Sequence, residues 1–519
     1  MKGPGGLHVL WRWLADRARS DPRAVAVEGR GGSLSYAQLR DLSVGMAQLL
    51  NLSGIGRGER VATLSENSAA QVALLFACAS TGASLAPLNW RLTPPELASQ
   101  LDIASPALLA ASPAHEGRAR EALSASTCTA PLVSLTELTT KARRLAASEP
   151  VPVSLTDNDP LLIVFTSGST RRPKGAVLTH ANCFWTNLSL DLALPVCKGE
   201  AVLSLLPQFH VGGWNVQPLQ AIWKGATVVL EEAFDPERAL WLVERRRVAT
   251  MMGVPTMYTR MAEAPAFEKA DLQSLRFVVT GGAPMQADLA ELWGHHGVPV
   301  AQGYGLTEAG PNVACLAPEE AANHPGSVGK PYGFVDLELH DPSTGALVEG
   351  AGTGEIWVAG PNVFAGYLAD EASTADVLDA GWLRTGDLAE RDAEGYLHIK
   401  GRLKDMYISG GENVYPAEVE AVLSLHPGVA EVAVVGVADL DWGESGVAFV
   451  RTKATIGAEE LISYCRQHMA GFKVPRRVVL VEELPRLASG KLDKRRLAEM
   501  VPRDAGERGA GPTRAGAPR

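Results

Sequence analysis

The residues with the clearest chemical potential lie in a loop rich in hydroxyl groups and glycine, IVFTSGSTRRPKGAVLTH, at residues 163–180. Backbone N–H groups, hydroxyls and a cation such as Lys174 are the groups that bind a polyphosphate. No Ser or Thr follows Lys174, so the loop is not a Walker A motif and a metal ion must be held elsewhere. The segment GYGLTE at residues 303–308 offers the carboxylate of Glu308 for that metal.

The length and composition indicate a globular protein of two or more domains. A chain of 519 residues is too long for one hydrophobic core, and 46% hydrophobic with 20% charged residues is ordinary for a globular enzyme. The formal net charge of -10 argues against a nucleic-acid-binding surface, which would be basic. The six cysteines are scattered without a metal-binding spacing, which predicts a reduced, cytoplasmic protein.

No segment is expected to enter a membrane. The N-terminal apolar stretch is interrupted by charges at Arg12, Asp16 and Arg17, so it lacks a secretory core. The longest uncharged run, residues 69–90, contains Gly82 and Pro87 and predicts a buried helix that turns into a short strand. The sequence leaves a homodimer open and does not fix the oligomeric state.

Short apolar runs alternate with helical patterns over the first ~400 residues, which predicts parallel sheets covered by helices. Strands are expected at residues 161–166, 202–206, 227–230 and 277–280, with a helix that Asp235 caps and Pro236 begins. A small β subdomain is expected near residues 345–367, and the pattern after Gly401 predicts a compact α+β module. The predicted fold is therefore α/β: a large N-terminal domain at residues 1–401, a small mobile C-terminal domain at residues 402–500, and a disordered tail at residues 501–519.

Two later segments complete a recognisable set: residues 382–416, WLRTGDLAERDAEGYLHIKGRLKDMYISGGENVYP, and residues 484–497, LPRLASGKLDKRRL. With the first two, they resemble the adenylate-forming superfamily of acyl-CoA synthetases, firefly luciferase and peptide-synthetase adenylation domains. At least five of its motifs occur in family order, over residues 8–500. The resemblance implies an ATP-dependent acid–CoA ligase that forms an acyl-adenylate and then an acyl-CoA, using ATP, Mg²⁺ and coenzyme A.

The resemblance assigns most of the nucleotide site. Glu308 would bind magnesium, Thr307 would contact the α-phosphate, Tyr304 would stack on adenine, and Gln302 would bind its exocyclic amine. Asp387 would take the ribose hydroxyls, with Arg402 reaching ribose or phosphate. The remaining residues assigned to ATP or AMP are Thr166, Ser167, Gly168, Ser169, Thr170, Lys174, Gly282, Ala283, Pro284, Gly303 and Gly305. One departure is Arg171, which stands where the family usually has glycine.

The resemblance implies two half-reactions, each of which uses different residues of the C-terminal domain. Lys491 would bridge the carboxylate and the α-phosphate in the first, and a backbone rotation at the hinge residue Lys404 would then admit the thiol. The residues assigned to coenzyme A are Arg91, Ser409, Gly410, Gly411, Trp442, Lys473 and Arg476. Val474 stands where the family has an arginine, which weakens the phosphate assignment of its neighbours.

The acyl pocket is the least specified part of the site. His210 would lie near the carboxylate channel as a catalytic residue, and a core histidine is the alternative. The other residues assigned to the pocket are Val211, Gly212, Trp214, Gly281, Gly305 and Leu306. The segments at residues 278–285 and 301–306 contain no cation, so an apolar acid, either a medium- or long-chain fatty acid or an aryl acid, is favoured over a dicarboxylate. The alternative acceptors for the acyl group are an amine or a carrier-protein thiol.

Overall fold

The structure, a computed structural model, describes residues 8–145, 154–166, 172–283, 285–409, 412–439, 442–487 and 490–501. Several predicted site residues lie outside these ranges: Ser167, Gly168, Ser169, Thr170, Pro284, Gly410 and Gly411. Arg171 and all but the first residue of the predicted tail lie outside them as well. The chain divides into two compact units, and each is described separately below.

The first unit contains residues up to Thr385 together with Ala389–Ile399. Its larger sheet, as far as the chain is described, has nine strands in the spatial order Lys330–Pro331, Ala314–Leu316, Val300–Tyr304, Phe277–Thr280, Val248–Gly253, Ala201–Ser204, Thr227–Leu230, Val25–Gly29, Gly32–Ser35. A six-stranded sheet has the order Leu132–Ser134, Leu108–Ala111, Arg60–Leu64, Ser84–Pro87, Pro160–Thr166, Lys174–Thr179. Strands such as Ser84–Pro87 and Phe277–Thr280 are buried at every position, because both faces of each sheet are covered.

The centres of both sheets are parallel, as the alternating pattern predicts, but antiparallel strands lie at both edges of the larger sheet and at one edge of the six-stranded sheet. Gly32–Ser35 pairs antiparallel with Val25–Gly29, and Lys174–Thr179 pairs antiparallel with Pro160–Thr166. Both connections are shorter than the crossover of about a dozen residues that parallel pairing needs. The prediction of parallel sheets covered by helices is therefore confirmed for the body of each sheet, and the antiparallel strands are added at the edges.

The helices of the first unit begin and end at local signals. Asp235 accepts a hydrogen bond from the Arg238 amide at 2.7 Å and Pro236 begins the helix, as predicted. Residues 69–81 are the expected buried helix, which ends at Gly82 with a φ of 80°. The helices are Trp11–Ser20, Tyr36–Leu52, Ala69–Thr81, Pro94–Ala104, Glu116–Ser124, Leu135–Arg144, His180–Ala193, Gly212–Asn215, Pro218–Lys224, Pro236–Arg246, Pro255–Ala262, Ala287–His295 and Glu371–Val377, with 3₁₀ turns at Phe267–Lys269 and Thr307–Ala309.

A third, antiparallel sheet forms the predicted β subdomain but begins earlier than expected, at Asp336. Its strands are Asp336–His340, Gly352–Ala359, Trp382–Arg391 and Leu378–Asp379 in spatial order, and Leu397–Arg402 pairs with Trp382–Arg391. None of the helices in the described ranges combines the length and apolar character that crossing a bilayer requires.

The second unit contains Gly386–Leu388 and the described chain from Lys400 onward. Its strands have the order Glu412–Val414, Tyr407–Ser409, Gly443–Thr452, Val429–Asp439, with Arg477–Leu480 on Gly443–Thr452. Its helices are Pro416–Ser424, Ala458–His468 and Lys494–Glu499, with 3₁₀ turns at Leu403–Asp405 and Gly471–Lys473. This is the compact α+β module that the sequence pattern after Gly401 predicts.

Steric constraints fix the backbone of the GYGLTE segment. A Cβ atom added at Gly305 would overlap the carbonyl oxygen of Pro311, whereas at Gly303 the nearest atom, the Thr280 carbonyl oxygen, would be 3.7 Å away. Gly305 is therefore required by the close approach of two backbone segments, in addition to any contact with a ligand.

Gly305→Ala should lower the free energy of unfolding by about 3 kcal/mol, because a backbone overlap is relieved only by moving the main chain. Gly303→Ala is the matched control and should change it by less than about 1 kcal/mol. Denaturant unfolding of the two variants measures both values. Equal stability of the two variants would contradict this packing.

Candidate active site

Thr166 and Lys174 face each other across the open end of the phosphate-loop hairpin. The strands Pro160–Thr166 and Lys174–Thr179 pair antiparallel, with Thr166 directly opposite Lys174. Both residues are half-buried, so the hydroxyl and the ammonium remain accessible to a ligand. The hairpin therefore places one donor and one cation where the predicted phosphate loop begins and ends.

Glu308 lies within hydrogen-bonding distance of this hairpin. Its Oε1 accepts a hydrogen bond from Thr166 Oγ1 at 3.4 Å and a shorter one from Tyr367 Oη at 2.8 Å. Lys174 Nζ lies 4.9 Å from the centroid of the Tyr367 ring. Two residues that the sequence assigned to different motifs, Thr166 and Glu308, are thus in contact, and Lys174 lies beside them.

Tyr367 was missed by sequence reasoning, because nothing in its local segment, AGYLAD, distinguishes it from a structural aromatic. Burial and the negative charge of Glu308 raise the pKa of the Tyr367 hydroxyl well above its ordinary value. The hydroxyl therefore stays protonated at neutral pH and donates to the carboxylate. Only the long-range contact with Glu308 identifies this residue as part of the site.

A magnesium ion fits the donor set of this cluster. Among the described residues, no group of three or more His, Cys, Asp or Glu side chains could hold a metal ion. Mg²⁺ commonly takes one or two protein carboxylates and completes its shell with substrate phosphates and water. The single carboxylate of Glu308, beside a phosphate-loop hairpin, is suited to an ion that arrives with a polyphosphate.

The segments assigned to adenine lie at one edge of the larger sheet. The strands Phe277–Thr280 and Val300–Tyr304 are parallel neighbours, with Thr280 opposite Gln302. Gly281 and Gly282 therefore leave the sheet at the same edge as Gly303 and Tyr304, the carboxyl edge at which ligands bind in such sheets. Tyr304 and Leu306 are half-buried, Ala283 is exposed, and Gly282 has a φ of 80°, which favours glycine.

Gln302 has internal hydrogen-bond partners that the sequence did not suggest. Its side chain is 8% exposed; Nε2 donates to the Ser327 carbonyl oxygen at 3.1 Å, and Oε1 accepts from the Met285 amide at 3.4 Å. These bonds join the strand to two neighbouring loops. The prediction that Gln302 binds the adenine amine stays a prediction, and any such contact would add to this structural role.

In the segment at residues 207–214, half-buried residues alternate with residues packed in the core. Val211 and Trp214 belong to the main hydrophobic cluster, and the Trp214 indole donates to the Gln208 carbonyl oxygen. A Cβ at Gly212 would come within 2.8 Å of Leu206 Cδ1. His210 is half-buried against the ring of Phe209, with centroids 4.6 Å apart. The structure thus gives Val211, Gly212 and Trp214 packing roles and leaves His210 as the accessible polar residue.

Arg91, assigned to coenzyme A, lies beside this segment. Its guanidinium carbon is 5.1 Å from the ring centroid of Trp90 and 5.5 Å from that of Phe209. Burial lowers the pKa of Arg91 below its ordinary value, but its side chain stays exposed enough to meet a ligand. Arg91 and His210 therefore both contact Phe209.

The predicted site residues of the second unit lie at several different positions within it. Arg402 Nε lies 3.0 Å from Asp387 Oδ1, and Asp387 is 6% exposed. Lys404 lies in the 3₁₀ turn Leu403–Asp405. Lys491 is exposed and sits at a tight turn, where its carbonyl oxygen accepts from the Leu487 amide at 2.8 Å. Asp387 and Arg402 are the pair that the sequence assigned to ribose.

Three of the residues assigned to coenzyme A come together. Ser409 pairs with Gly443, the neighbour of Trp442, and the Arg476 guanidinium carbon lies 4.7 Å from the Trp442 ring centroid. Lys473 differs, because its Nζ is 2.6 Å from Glu418 Oε1 and its charge is already paired. A phosphate at Lys473 would therefore compete with Glu418, whereas Arg476 presents a cation on an aromatic surface.

Known proteins share these motifs over almost the whole chain. A sequence profile described as AMP-binding enzyme matches residues 14–368, and one described as AMP-binding enzyme C-terminal domain matches residues 418–491. Feruloyl-CoA synthase of an Amycolatopsis species is 42% identical, over 93% of this chain and 97% of that protein. Indoleacetate–CoA ligase of Aromatoleum aromaticum is 38% identical, over 95% of this chain and 98% of that protein.

A solved structure shows the same fold. O-succinylbenzoate coenzyme A synthetase from Bacillus subtilis, in complex with ATP and magnesium ion, has a TM-score of 0.84 and 31% sequence identity, over 94% of this chain and 98% of that one. The chain therefore belongs to the AMP-binding enzymes, among the acyl-CoA synthetases of the adenylate-forming superfamily.

Proposed function

We propose that this chain is an AMP-forming acid–CoA ligase whose substrate is an apolar aryl carboxylic acid. In the first half-reaction, a carboxylate oxygen bonds to the α-phosphorus of ATP, and the bond from that phosphorus to pyrophosphate breaks. In the second, the sulfur of coenzyme A bonds to the acyl carbon, the bond from that carbon to AMP breaks, and the thiol proton is lost. The observation that carries the proposal is the contact of Glu308 with Thr166, beside Lys174.

The first half-reaction brings two anions together, so charge neutralisation and positioning are the main tasks of the protein. Lys174 supplies a cation and Thr166 a hydroxyl donor for the phosphates. Glu308 is the residue that would hold Mg²⁺, which neutralises phosphate charge when bound. The ribose hydroxyls fall to Asp387, whose carboxylate Arg402 orients.

The acid is proposed from the pocket segments and from the relatives. Residues 278–285 and 301–306 carry no cation, so a second carboxylate there would be desolvated without a partner. The two relatives described above are named for feruloyl and indoleacetate substrates, which are both aromatic. An aryl acid with one carboxylate fits both observations, and a fatty acid is the competing substrate.

Coenzyme A is proposed as the acceptor because of the Trp442–Arg476 pair. An exposed cation on an indole suits the phosphates and adenine of a nucleotide-bearing thiol. An amine or a carrier-protein thiol is the alternative acceptor, and these would not require such a surface. To distinguish these acceptors, product formation is measured with coenzyme A and again with hydroxylamine or a carrier protein in its place.

Lys491→Ala should lower the rate of acyl-adenylate formation by about a hundredfold or more and leave thioester formation from a synthetic acyl-adenylate largely intact. The reason is that its charge stabilises only the transition state of the first half-reaction. Pyrophosphate release and coenzyme A consumption measure the two steps separately. Lys453→Ala, an exposed lysine of the same unit, is the control and should change neither step. An equal loss in both steps would contradict the proposed role.

Lys404→Pro should allow the acyl-adenylate to form and accumulate without transfer to coenzyme A, because proline fixes φ near −65° at the proposed hinge. That value matches the 3₁₀ turn in which Lys404 lies. Lys404→Ala removes the side chain but leaves the backbone free, so it should retain both steps. Rapid-quench analysis of bound adenylate measures the split. Normal turnover of Lys404→Pro would remove this residue from the mechanism.

Aryl acids should exceed malonate and succinate in kcat/KM by about a thousandfold, because an unpaired second carboxylate costs several kcal/mol. Cinnamate and 4-carboxycinnamate form the sharpest pair, since they differ only by the second carboxylate group. Pyrophosphate release is measured for these and for straight-chain acids, with and without coenzyme A. Preference for a dicarboxylate would contradict the pocket assignment, and preference for straight-chain acids would replace the aryl proposal with the fatty one.

A further inference from the structure

Tyr367 links three segments that are far apart in the sequence. Its hydroxyl donates to Glu308 Oε1 at 2.8 Å, and its ring lies beneath the ammonium of Lys174, 4.9 Å from ring centroid to Nζ. Thr166 donates to the same carboxylate oxygen from a greater distance, 3.4 Å. One side chain therefore contacts both the cation and the carboxylate of the proposed phosphate site.

The backbone around Tyr367 is held in place on both sides. The Leu368 amide donates to the Gly175 carbonyl oxygen at 2.8 Å, and the Val177 amide donates to the Gly366 carbonyl oxygen at 3.0 Å. The Tyr367 amide donates to Thr374 Oγ1 at 2.9 Å. The segment thus extends the sheet alongside the strand that begins at Lys174, and the ring has a fixed base.

Glu308 is held from two directions by these contacts. Its carbonyl oxygen accepts from the Phe364 amide at 2.9 Å, so the backbone of the 3₁₀ turn is joined to the chain just before Tyr367. The hydroxyl of Tyr367 then fixes the end of the same side chain. A flexible carboxylate with three rotatable bonds is in this way restricted to one orientation before any ligand binds.

We propose that Tyr367 is a positioning residue that orients the Glu308 carboxylate for the magnesium ion of ATP. The inference rests on the proposed function, because it concerns the same nucleotide site. It assigns to Tyr367 a role in metal-linked nucleotide affinity through Glu308, with no contact to the reacting atoms. Residues that hold a metal-binding carboxylate typically change metal affinity by about 10- to 100-fold when they are removed.

A second tyrosine provides a matched control in the same unit. Tyr396 Oη donates to Glu320 Oε1 at 2.9 Å, and Lys330 Nζ lies 4.2 Å from the Tyr396 ring centroid. The chemistry is the same as at Tyr367: a phenol donates to a glutamate, and a lysine lies over the ring. None of these three residues is assigned to the nucleotide site, so loss of this hydroxyl reports the structural effect alone.

The experiment compares Tyr367→Phe with Tyr396→Phe by titration calorimetry. The ligand is α,β-methylene-ATP, which cannot form an adenylate, with either excess Mg²⁺ or EDTA present. Phenylalanine keeps the ring beneath each lysine and removes only the hydroxyl. The titrations are made well below the lowest melting temperature of the three proteins, so that each variant is measured folded.

Tyr367→Phe should lose about tenfold or more of the gain in nucleotide affinity that Mg²⁺ provides and keep its affinity in EDTA within about twofold of wild type. Tyr396→Phe should keep both values. An unchanged Mg²⁺-dependent gain in Tyr367→Phe, or an equal loss with and without Mg²⁺, would overturn the inference. Failure of the wild-type protein to bind the nucleotide in either condition would instead overturn the proposed function.

Discussion

The carboxylate of Glu308 is the group around which the nucleotide site is organised. It is half-buried, and a partly desolvated carboxylate needs hydrogen-bond donors in fixed positions. Thr166 and Tyr367 donate these hydrogen bonds, although they lie 142 and 59 residues away from Glu308 in the chain. The phosphate-loop hairpin, the GYGLTE turn and the segment at residues 365–368 must therefore be in place together for this contact to form.

Close packing of backbone segments maintains this arrangement. Gly305 has the Pro311 carbonyl oxygen where a side chain would begin, and Gly281 has the Gly303 carbonyl oxygen 3.1 Å from the position of a Cβ atom. Glycine at these positions lets two segments approach closely at the carboxyl edge of the sheet. The family resemblance assigned Gly281 and Gly305 to ligand contact. The structure shows that they also allow close backbone packing, and one glycine can serve both purposes.

Sequence reasoning succeeded where local signals determine the structure. The strands Thr227–Leu230 and Phe277–Thr280 have their predicted bounds because short apolar runs end at glycine or charged residues. The helix that follows Asp235 was predicted from one capping residue and one proline. Specific motifs also singled out Thr166, Lys174 and Glu308, and the structure places these residues together, while their chemical roles stay predictions.

Sequence reasoning is limited where the partner of a residue is distant in the sequence. Tyr367 was missed because it carries no local motif, and its contact with Glu308 is seen only in the structure. The ligand assignments of Gln302 and Lys473 stay predictions, to which the structure adds bonds with Ser327 and Glu418. A motif identifies residue types that suit a chemistry. Whether other protein groups already bond to those side chains depends on tertiary packing, which the motif does not show.

The two units carry different parts of the proposed chemistry. The first supplies a carboxylate, a cation and a hydroxyl at one hairpin, while the second carries the Asp387–Arg402 pair, the exposed Lys491 and the Trp442–Arg476 surface. The two steps have different reacting centres, the α-phosphorus in the first and the acyl carbon in the second, so each requires different groups nearby. Glu308 is already fixed by contacts within the first unit, so the phosphate site does not depend on Lys491 for its own order. That independence is what would allow Lys491 to act in one half-reaction and be absent from the other.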